Sequence, residues 1–440
     1  MSNEGAGAMS GERKEKSVLE PRRRFPEFRN AGEWTTPKLE DISVPVEERV
    51  GDRKLVPVSI SAGIGFVPQA EKFGRDISGN QYRLYTVVRD GDFVYNKGNS
   101  LKFPQGCVYD LQGWGEVAAP NVFICFRLKA GYENGFFRQC FEQNAHGWQL
   151  KKHITSGARS NGLLNISRDA FFGVKIPTPR HPEQQKIADC LSSLDELITA
   201  ETQRLDALKT RKKGLMQQLF PRGGETVPRL RFPEFLEAGE WEEKLIEDFF
   251  DVGSSKRVLQ QDWTTQGVPF YRTRELVSLS KNEPFGSEIF ISEELFREIS
   301  EKYGLPAEGD FLVSGVGTLG ISYQVQAQDR FYFKDGNVLW FKLRGGIVST
   351  FFKYCFEADE IQNQILAQAS ISTVGTYTIQ NAKVTKFSCP TDIEEQQKIA
   401  DCLSSLDDLI TAQSQKIDAL KTHKKGLMQQ LFPALDDVPT

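Results

Sequence analysis

Thirteen letters, EQQKIADCLSSLD, occupy residues 183–195 and return at residues 395–407. The match extends over residues 183–221 against 395–433, where 33 of 39 positions are identical. A second repeat stands ahead of each copy: RFPEFRNAGEW begins at Arg24 and RFPEFLEAGEW at Arg231. The chain therefore spells one plan twice, each time as a lead-in motif, a body of about 140 residues and a long helical segment. A period above 200 residues is far too long for a solenoid repeat and implies duplicated domains. At 440 residues the chain also exceeds what one hydrophobic core supports.

The repeated segments carry a heptad seam. In the first copy it runs through Ile187, Leu191, Leu194, Ile198, Glu201, Leu205, Leu208, Lys212, Leu215 and Leu219, with steps of four and three residues throughout. In the second it runs through Ile399, Leu403, Leu406, Ile410, Gln413, Ile417, Leu420, Lys424, Leu427 and Leu431. Pro182 suits a first helical turn, residues 391–394 fit a capping box opened by Thr391, and Pro221 and Pro433 stop the two helices. About 37 helical residues make a rod of roughly 55 Å. Two such rods in one chain pair most simply with each other, antiparallel, and the polar seam residues fix the register. The other reading is an ordinary amphipathic helix packed on its own body.

The bodies have diverged, and only fragments align, such as GDFVYNKGNS from Gly91 with GDFLVSGVGT from Gly309. Segments YRLYTVV and NVFICFRL in the first body, and DFLVS, ISYQVQ and NVLWFKL in the second, read as strands. The expected fold class is α+β: two globular α/β bodies joined by two long antiparallel coiled-coil helices, a pseudo-two-fold internal duplication. The expected divisions are a flexible tail (1–20), a first body (21–180), a central helix (181–221), a second body (222–390), a C-terminal helix (391–433) and a short tail (434–440). No long apolar run marks a membrane span or a signal core. The seven cysteines show no metal or disulfide spacing, so reduced thiols and a cytoplasmic setting are expected.

The net charge of −4 conceals an asymmetry. Residues 21–180 hold 23 Lys and Arg against 16 Asp and Glu, a net of +7, whereas residues 222–390 hold 18 against 24, a net of −6. An anionic partner of the second body must therefore meet a local patch. No catalytic constellation is present. Gly315, Gly317 and Gly320 fit a GxGxxG pattern, but a strand-like stretch follows them where a dinucleotide site needs a helix. The four histidines, His146, His153, His181 and His423, have neither metal nor triad spacing. The remaining candidates are polar and basic residues on glycine-rich loops, suited to DNA. They are Lys97, Asn99, Ser100, Lys102, Lys151, Lys152, Arg159, Ser160 and Asn161 in the first body. In the second they are Ser255, Lys256, Arg257, Arg272, Arg274, Ser314, Thr318, Lys334, Asn337, Thr373, Thr376 and Tyr377. Arg and Asn read base edges bidentately, while Lys, Ser and Thr mostly hold phosphate.

The twin EQQKIADCLSSLD helices ending in KKGLMQQLFP, the RFPEF lead-ins and the GDF strands resemble those of the specificity subunits of type I restriction–modification systems. The resemblance spans nearly the whole chain. It implies that each body is a target recognition domain reading one half of an asymmetric, gapped site in double-stranded DNA, and that the paired helices set the gap. It implies two methylation subunits docked beside the helices and lead-ins, methylating adenine with S-adenosylmethionine, and restriction subunits that use ATP and Mg to translocate and cleave. The subunit itself then has no activity, cofactor or metal. Two rival readings are a scaffold holding protein partners on a coiled-coil strut and an enzyme built on the glycine-rich turn.

Overall fold

In the computed structural model the described residues are 19–98, 103–154, 164–281, 283, 285–369 and 375–434. They form two compact units that do not follow chain order. Unit 1 comprises Met1–Thr202 with Lys416–Thr440, and unit 2 comprises Gln203–Gln415.

In unit 1 the strands are β1 (Ser43–Pro45), β2 (Val56–Ser61), β3 (Gly65–Pro68), β4 (Thr86–Arg89), β5 (Phe93–Asn96), β6 (Cys107–Asp110), β7 (Glu116–Ala119) and β8 (Ile124–Leu128). Short helices α1 (Leu39–Ile42), α2 (Gln69–Phe73), α3 (Asn134–Glu142), α4 (Ala145–Leu150) and α5 (Arg168–Phe172) accompany them. The long helix α6 (His181–Leu219) then runs on into unit 2. Unit 2 adds β9 (Glu242–Leu245), α7 (Ile246–Phe249), β10 (Phe250–Ser254), β11 (Val268–Tyr271), α8 (Thr273–Ser280), β12 (Phe290–Ile291) and α9 (Glu293–Tyr303). There follow β13 (Phe311–Ser314), β14 (Ser322–Gln324), β15 (Tyr332–Phe333), β16 (Val338–Leu343), α10 (Ser349–Glu357), α11 (Asp359–Ala369), α12 (Ile379–Lys383), β17 (Lys386–Cys389) and α13 (Ile393–Leu431).

The two units share a skeleton. The main sheet runs β1-β8-β5-β6 in unit 1 and β10-β16-β13-β14 in unit 2, antiparallel throughout. A second sheet runs β3-β2-β7-β4 in unit 1 and β12-β11-β15 in unit 2, each with one parallel pair, β2·β7 or β11·β15. The GDF turns open the central strands alike: Gly91 and Gly309 have φ of 90° and 89°, which favours glycine. The next aspartate is buried and engaged, Asp92 by Arg127 and Asp310 by Trp340 Nε1. Of the expected strands, residues 82–84 instead close a 3-10 turn before β4.

Each core is finished by both long helices. In unit 1, Ile187, Ala188 and Leu191 of α6 join Met428, Leu431 and Phe432 from the end of α13. In unit 2, Ile399, Ala400 and Leu403 of α13 join Leu219 and Phe220 from the end of α6. Phe432 stacks on Phe136 (5.3 Å) with Trp34 edge-on, and Phe220 stacks on Phe351 (5.7 Å) with Trp241 edge-on. Ion pairs show the helices antiparallel: Lys424–Asp195 (2.8 Å) and Lys416–Glu201 (2.5 Å) in unit 1, and Lys212–Asp407 (2.7 Å) in unit 2. The seam residues, polar ones included, are all buried or half-buried. The ends of the helices thus pack on bodies and on each other at once, so the two packing modes weighed above coexist.

The letters EQ at each helix start are explained by docking. Arg24 clasps Glu183 through two hydrogen bonds (2.8 and 2.6 Å), and Arg231 clasps Glu395 likewise (2.7 and 2.7 Å). Both carboxylates are buried, and their partner guanidinium groups are nearly so. Gln184 accepts from Glu133 N and donates to Pro179 O, while Gln396 accepts from Val348 N and donates to Pro390 O. Two expectations are corrected. Asp392, one residue past Thr391, accepts from Glu394 N and caps α13. Leu19 is buried in the unit 1 core, and its carbonyl accepts from Trp34 N, so the tail cannot extend to residue 20. Among the described residues no helix is long and apolar enough to cross a membrane.

Candidate nucleic-acid interface

In unit 2 the separately placed candidate loops converge at one edge of the main sheet. Gly315 N donates to Asn337 O, and Tyr377 N donates to Gly315 O, both at 2.9 Å. A Cβ at Gly315 would lie 2.8 Å from Tyr377 O, so only glycine allows this approach. Val316 bridges to Thr376. Ser254 Oγ donates to Val338 O and accepts from Gly336 N, and Ser255 Oγ donates to Phe333 O. Tyr332 Oη accepts from Lys256 N, and Lys334 N donates to Tyr271 O. Residues 254–257, 271–274, 314–320, 334–337 and 376–377 therefore form one cluster.

The side chains of that cluster divide by direction. Lys256, Arg257 and Thr318 are exposed, and Lys334, Asn337 and Thr376 are half-buried. Arg257 Nε lies 4.0 Å from Asp335 Oδ2, while Asp335 Oδ1 and Thr273 Oγ1 are buried without a hydrogen-bond partner among the described residues. An unpaired buried polar atom costs about 1–3 kcal/mol, so these two are poised for a polar ligand. Ser314 and Tyr377 turn inward. Ser314 Oγ is fully buried, donating to Thr318 O and accepting from Ile321 N, and it shapes the glycine turn. Tyr377 Oη lies 2.8 Å from Thr385 Oγ1, and burial raises its pKa. Arg272 and Arg274 are engaged by acids: Arg272 with Glu275 (2.6 Å), Arg274 with Glu275 (3.0 Å) and Glu288 (2.6 Å). Burial pushes the Glu275 carboxyl up, but Arg272 and backbone donors pull it further down, below its ordinary value.

Unit 1 builds the same edge from other residues. Asn96 at the end of β5 donates to Ile60 O (2.9 Å), and Leu164 N donates to Lys97 O (2.9 Å). Lys97 Nζ reaches Ile166 O at 3.5 Å. Gly106 is sterically required, because a Cβ there would lie 2.4 Å from Asn96 O. Beneath this edge His146 packs edge-on to Tyr95 (5.8 Å), and its burial lowers its pKa to about 4. Lys151 and Lys152 are exposed on the 3-10 turn after α4. Asn99, Ser100, Lys102, Arg159, Ser160, Asn161 and Thr373 lie outside the described residues. Among the described residues, no group of three His, Cys, Asp or Glu is placed to hold a metal ion.

The family model "Type I restriction modification DNA specificity domain" matches residues 116–210 and 238–422, more than half of the chain. The chain belongs to that family. It is a type I specificity subunit. The MjaVIII specificity subunit of Methanocaldococcus jannaschii is 23% identical over 289 residues, 63% of this chain and 66% of that protein. A putative type I specificity subunit of Haemophilus influenzae is 30% identical over 169 residues, 38% of this chain and 40% of its own length. These curated relatives are thus matched over slightly less than two thirds of their length, or less. The type I S subunit structure from M. genitalium superposes with a TM-score of 0.59 at 14% identity, covering 94% of this chain and all of that one. A structure reported on complex assembly and conformational transition of the type I restriction–modification system gives 0.53 at 16% identity, covering 92% and 98%. These likenesses show the fold: mixed helix and sheet, two domains and two long helices.

The Arg24–Glu183 and Arg231–Glu395 clasps escaped the sequence reading. Their signal was present, since both members lie inside the repeats, but nothing in the letters pairs them.

Proposed function

We propose that each unit of this specificity subunit reads one half of an asymmetric, gapped site in double-stranded DNA. The observation that supports this most directly is the convergence of divergent polar loops at the same edge of one shared skeleton. In this reading Lys97, Lys151, Lys152, Lys256, Lys334, Thr318 and Thr376 hold phosphates, and Arg257 and Asn337 address base edges. Asn99, Ser100, Lys102, Arg159, Ser160, Asn161 and Thr373 are further DNA-contact candidates in this reading. Ser314 and Tyr377 support it from within.

Helices α6 and α13 act as the ruler between half-sites. Most of their exposed positions are identical too, although packing constrains only the buried ones. Two like surfaces suit two copies of one partner, which we take to be the methylation subunit using S-adenosylmethionine. Restriction subunits using ATP and Mg join that assembly. The chain itself carries out no reaction.

The test is to co-express the chain with a methylation subunit that it binds and to map modified adenines across the host genome. A single bipartite motif with a fixed gap is expected. A stable complex with no new motif would overturn the reading in favour of a protein scaffold. Inserting seven residues after Thr202 lengthens a helix by about 10 Å. It should change the gap or abolish modification while each half-sequence stays the same.

A further inference from the structure

Two bodies with few residues in common nevertheless repeat a short surface feature. Residues 71–74 read EKFG and residues 301–304 read EKYG. Both end a helix at the same place in the fold. Strand β3 pairs antiparallel with β2, whose other neighbour β7 is parallel, and α2 follows β3. Strand β12 pairs antiparallel with β11, whose other neighbour β15 is parallel, and α9 follows β12. Both helices stop at a glycine of positive φ, 71° at Gly74 and 77° at Gly304.

Helix-ending chemistry accounts for part of the motif. Glycine past the last turn and a lysine near it are favourable at any helix C-terminus. It does not account for the aromatic ring. Phe73 and Tyr303 are 46% and 39% exposed, respectively. A single exposed ring is unremarked on a protein surface. Its return at an equivalent site in a diverged body needs a cause other than folding.

The surroundings point to an anion. Lys72 Nζ lies 5.4 Å from the Phe73 ring centre, and Lys302 Nζ lies 5.4 Å from that of Tyr303. A second cation, Lys256 of the loop cluster, also stands 5.4 Å from the Tyr303 ring. None of the three lysines forms an ion pair within the described residues, although residues 222–390 of unit 2 carry a net charge of −6. Each tip also adjoins its loop edge. Lys72 donates to Ser59 Oγ (3.1 Å), next to the Ile60 carbonyl that holds Asn96. Lys256 precedes Arg257, which faces Asp335.

We propose that Lys72–Phe73 in unit 1 and Lys302–Tyr303 with Lys256 in unit 2 are matched grips on the DNA backbone. Each lysine engages a phosphate, and each ring packs on the neighbouring deoxyribose. The grips position the duplex for the reading loops and carry no sequence preference themselves. This inference rests on the DNA-binding reading above.

The test is fluorescence anisotropy of the full-length chain with a labelled duplex of mixed sequence across a salt series. Wild type should show a steep fall of log K with log salt. Replacing both Lys72 and Lys302 by Ala should flatten that slope by about 1.8, two contacts at roughly 0.9 each. Replacing both by Arg should restore it. Phe73→Leu with Tyr303→Leu should weaken binding several-fold at unchanged slope, while Phe73→Tyr with Tyr303→Phe should not. Unchanged slope and affinity in the double alanine variant would overturn the grips while leaving the DNA reading intact. So would an equal effect from Lys54→Ala with Arg297→Ala, or a lowered melting temperature with unaltered binding. Wild type without salt-dependent binding would sink both.

Discussion

The foot of each unit and its loop edge follow different rules. At the foot, the same letters make the same contacts twice: arginine on glutamate, glutamine across two backbone groups, a phenylalanine from the far helix on a buried pair of rings. At the edge, one backbone layout is furnished with different side chains, Asn96 and Lys97 in one unit and a glycine turn with Ser314 in the other. Packing tolerates little change where a buried ion pair must be satisfied. A solvent-facing loop on a fixed strand tolerates much. A molecule that keeps its frame and alters its contacts can therefore acquire a new target without a new fold.

If the feet are equivalent, equal cuts should cost the same in both units. Phe432→Ala should destabilise unit 1, and Phe220→Ala unit 2, by about 3–5 kcal/mol each. Chemical denaturation read by hydrogen exchange in each unit measures this, and a difference between the two well above 1 kcal/mol breaks the equivalence. Removing the clasps sharpens it. Arg24→Ala and Arg231→Ala each strand a buried carboxylate, at about 3 kcal/mol or more. The loss should be greater for Arg24, because Glu395 keeps a donor in Trp241 Nε1 (3.3 Å) whereas Trp34 Nε1 has no partner among the described residues.

A third contrast lies beneath the edges. Four residues past Glu142 stands buried His146, and four past the equivalent Glu357 stands buried Ile361. Burial holds His146 near 4, so folding favours its neutral form. That contribution is complete above the ordinary histidine value and is lost as pH falls from about 6.5 toward 4. Unit 1 alone should lose about 2 kcal/mol between pH 7 and pH 5. His146→Leu should remove the difference, and equal acid sensitivity in both units would contradict it.

The smallest effect concerns the polar seam. Lys212→Met leaves Asp407 with Tyr354 Oη (2.8 Å) and Lys353 (3.3 Å), and should cost about 1 kcal/mol. Lys424→Met leaves Asp195 with Gln139 Nε2 (3.3 Å) and should cost more. Thermal melting of the pair ranks them, and the reverse order would mean that the seam lysines are not anchored as described.

The same contrast governs what the letters disclose. The helices were legible because a heptad repeat has one physical meaning, and the duplication because identity needs no interpretation. The clasps were not, since Arg24 and Glu183 are 159 residues apart. At the edge, polar letters beside glycine look alike whether they face solvent or the interior. Ser314 and Tyr377 face inward, and Arg274 is neutralised by Glu288, fourteen residues on. Direction and pairing are properties of the fold, and no local pattern encodes them.

The most direct test of this account exchanges one body and keeps the frame. Residues 24–180 would be replaced by the matching body of another specificity subunit, the chimera co-expressed with the methylation subunit, and modified adenines mapped. The account predicts that one half-site changes while the other half-site and the gap remain. A change in both halves, or in neither, would contradict it.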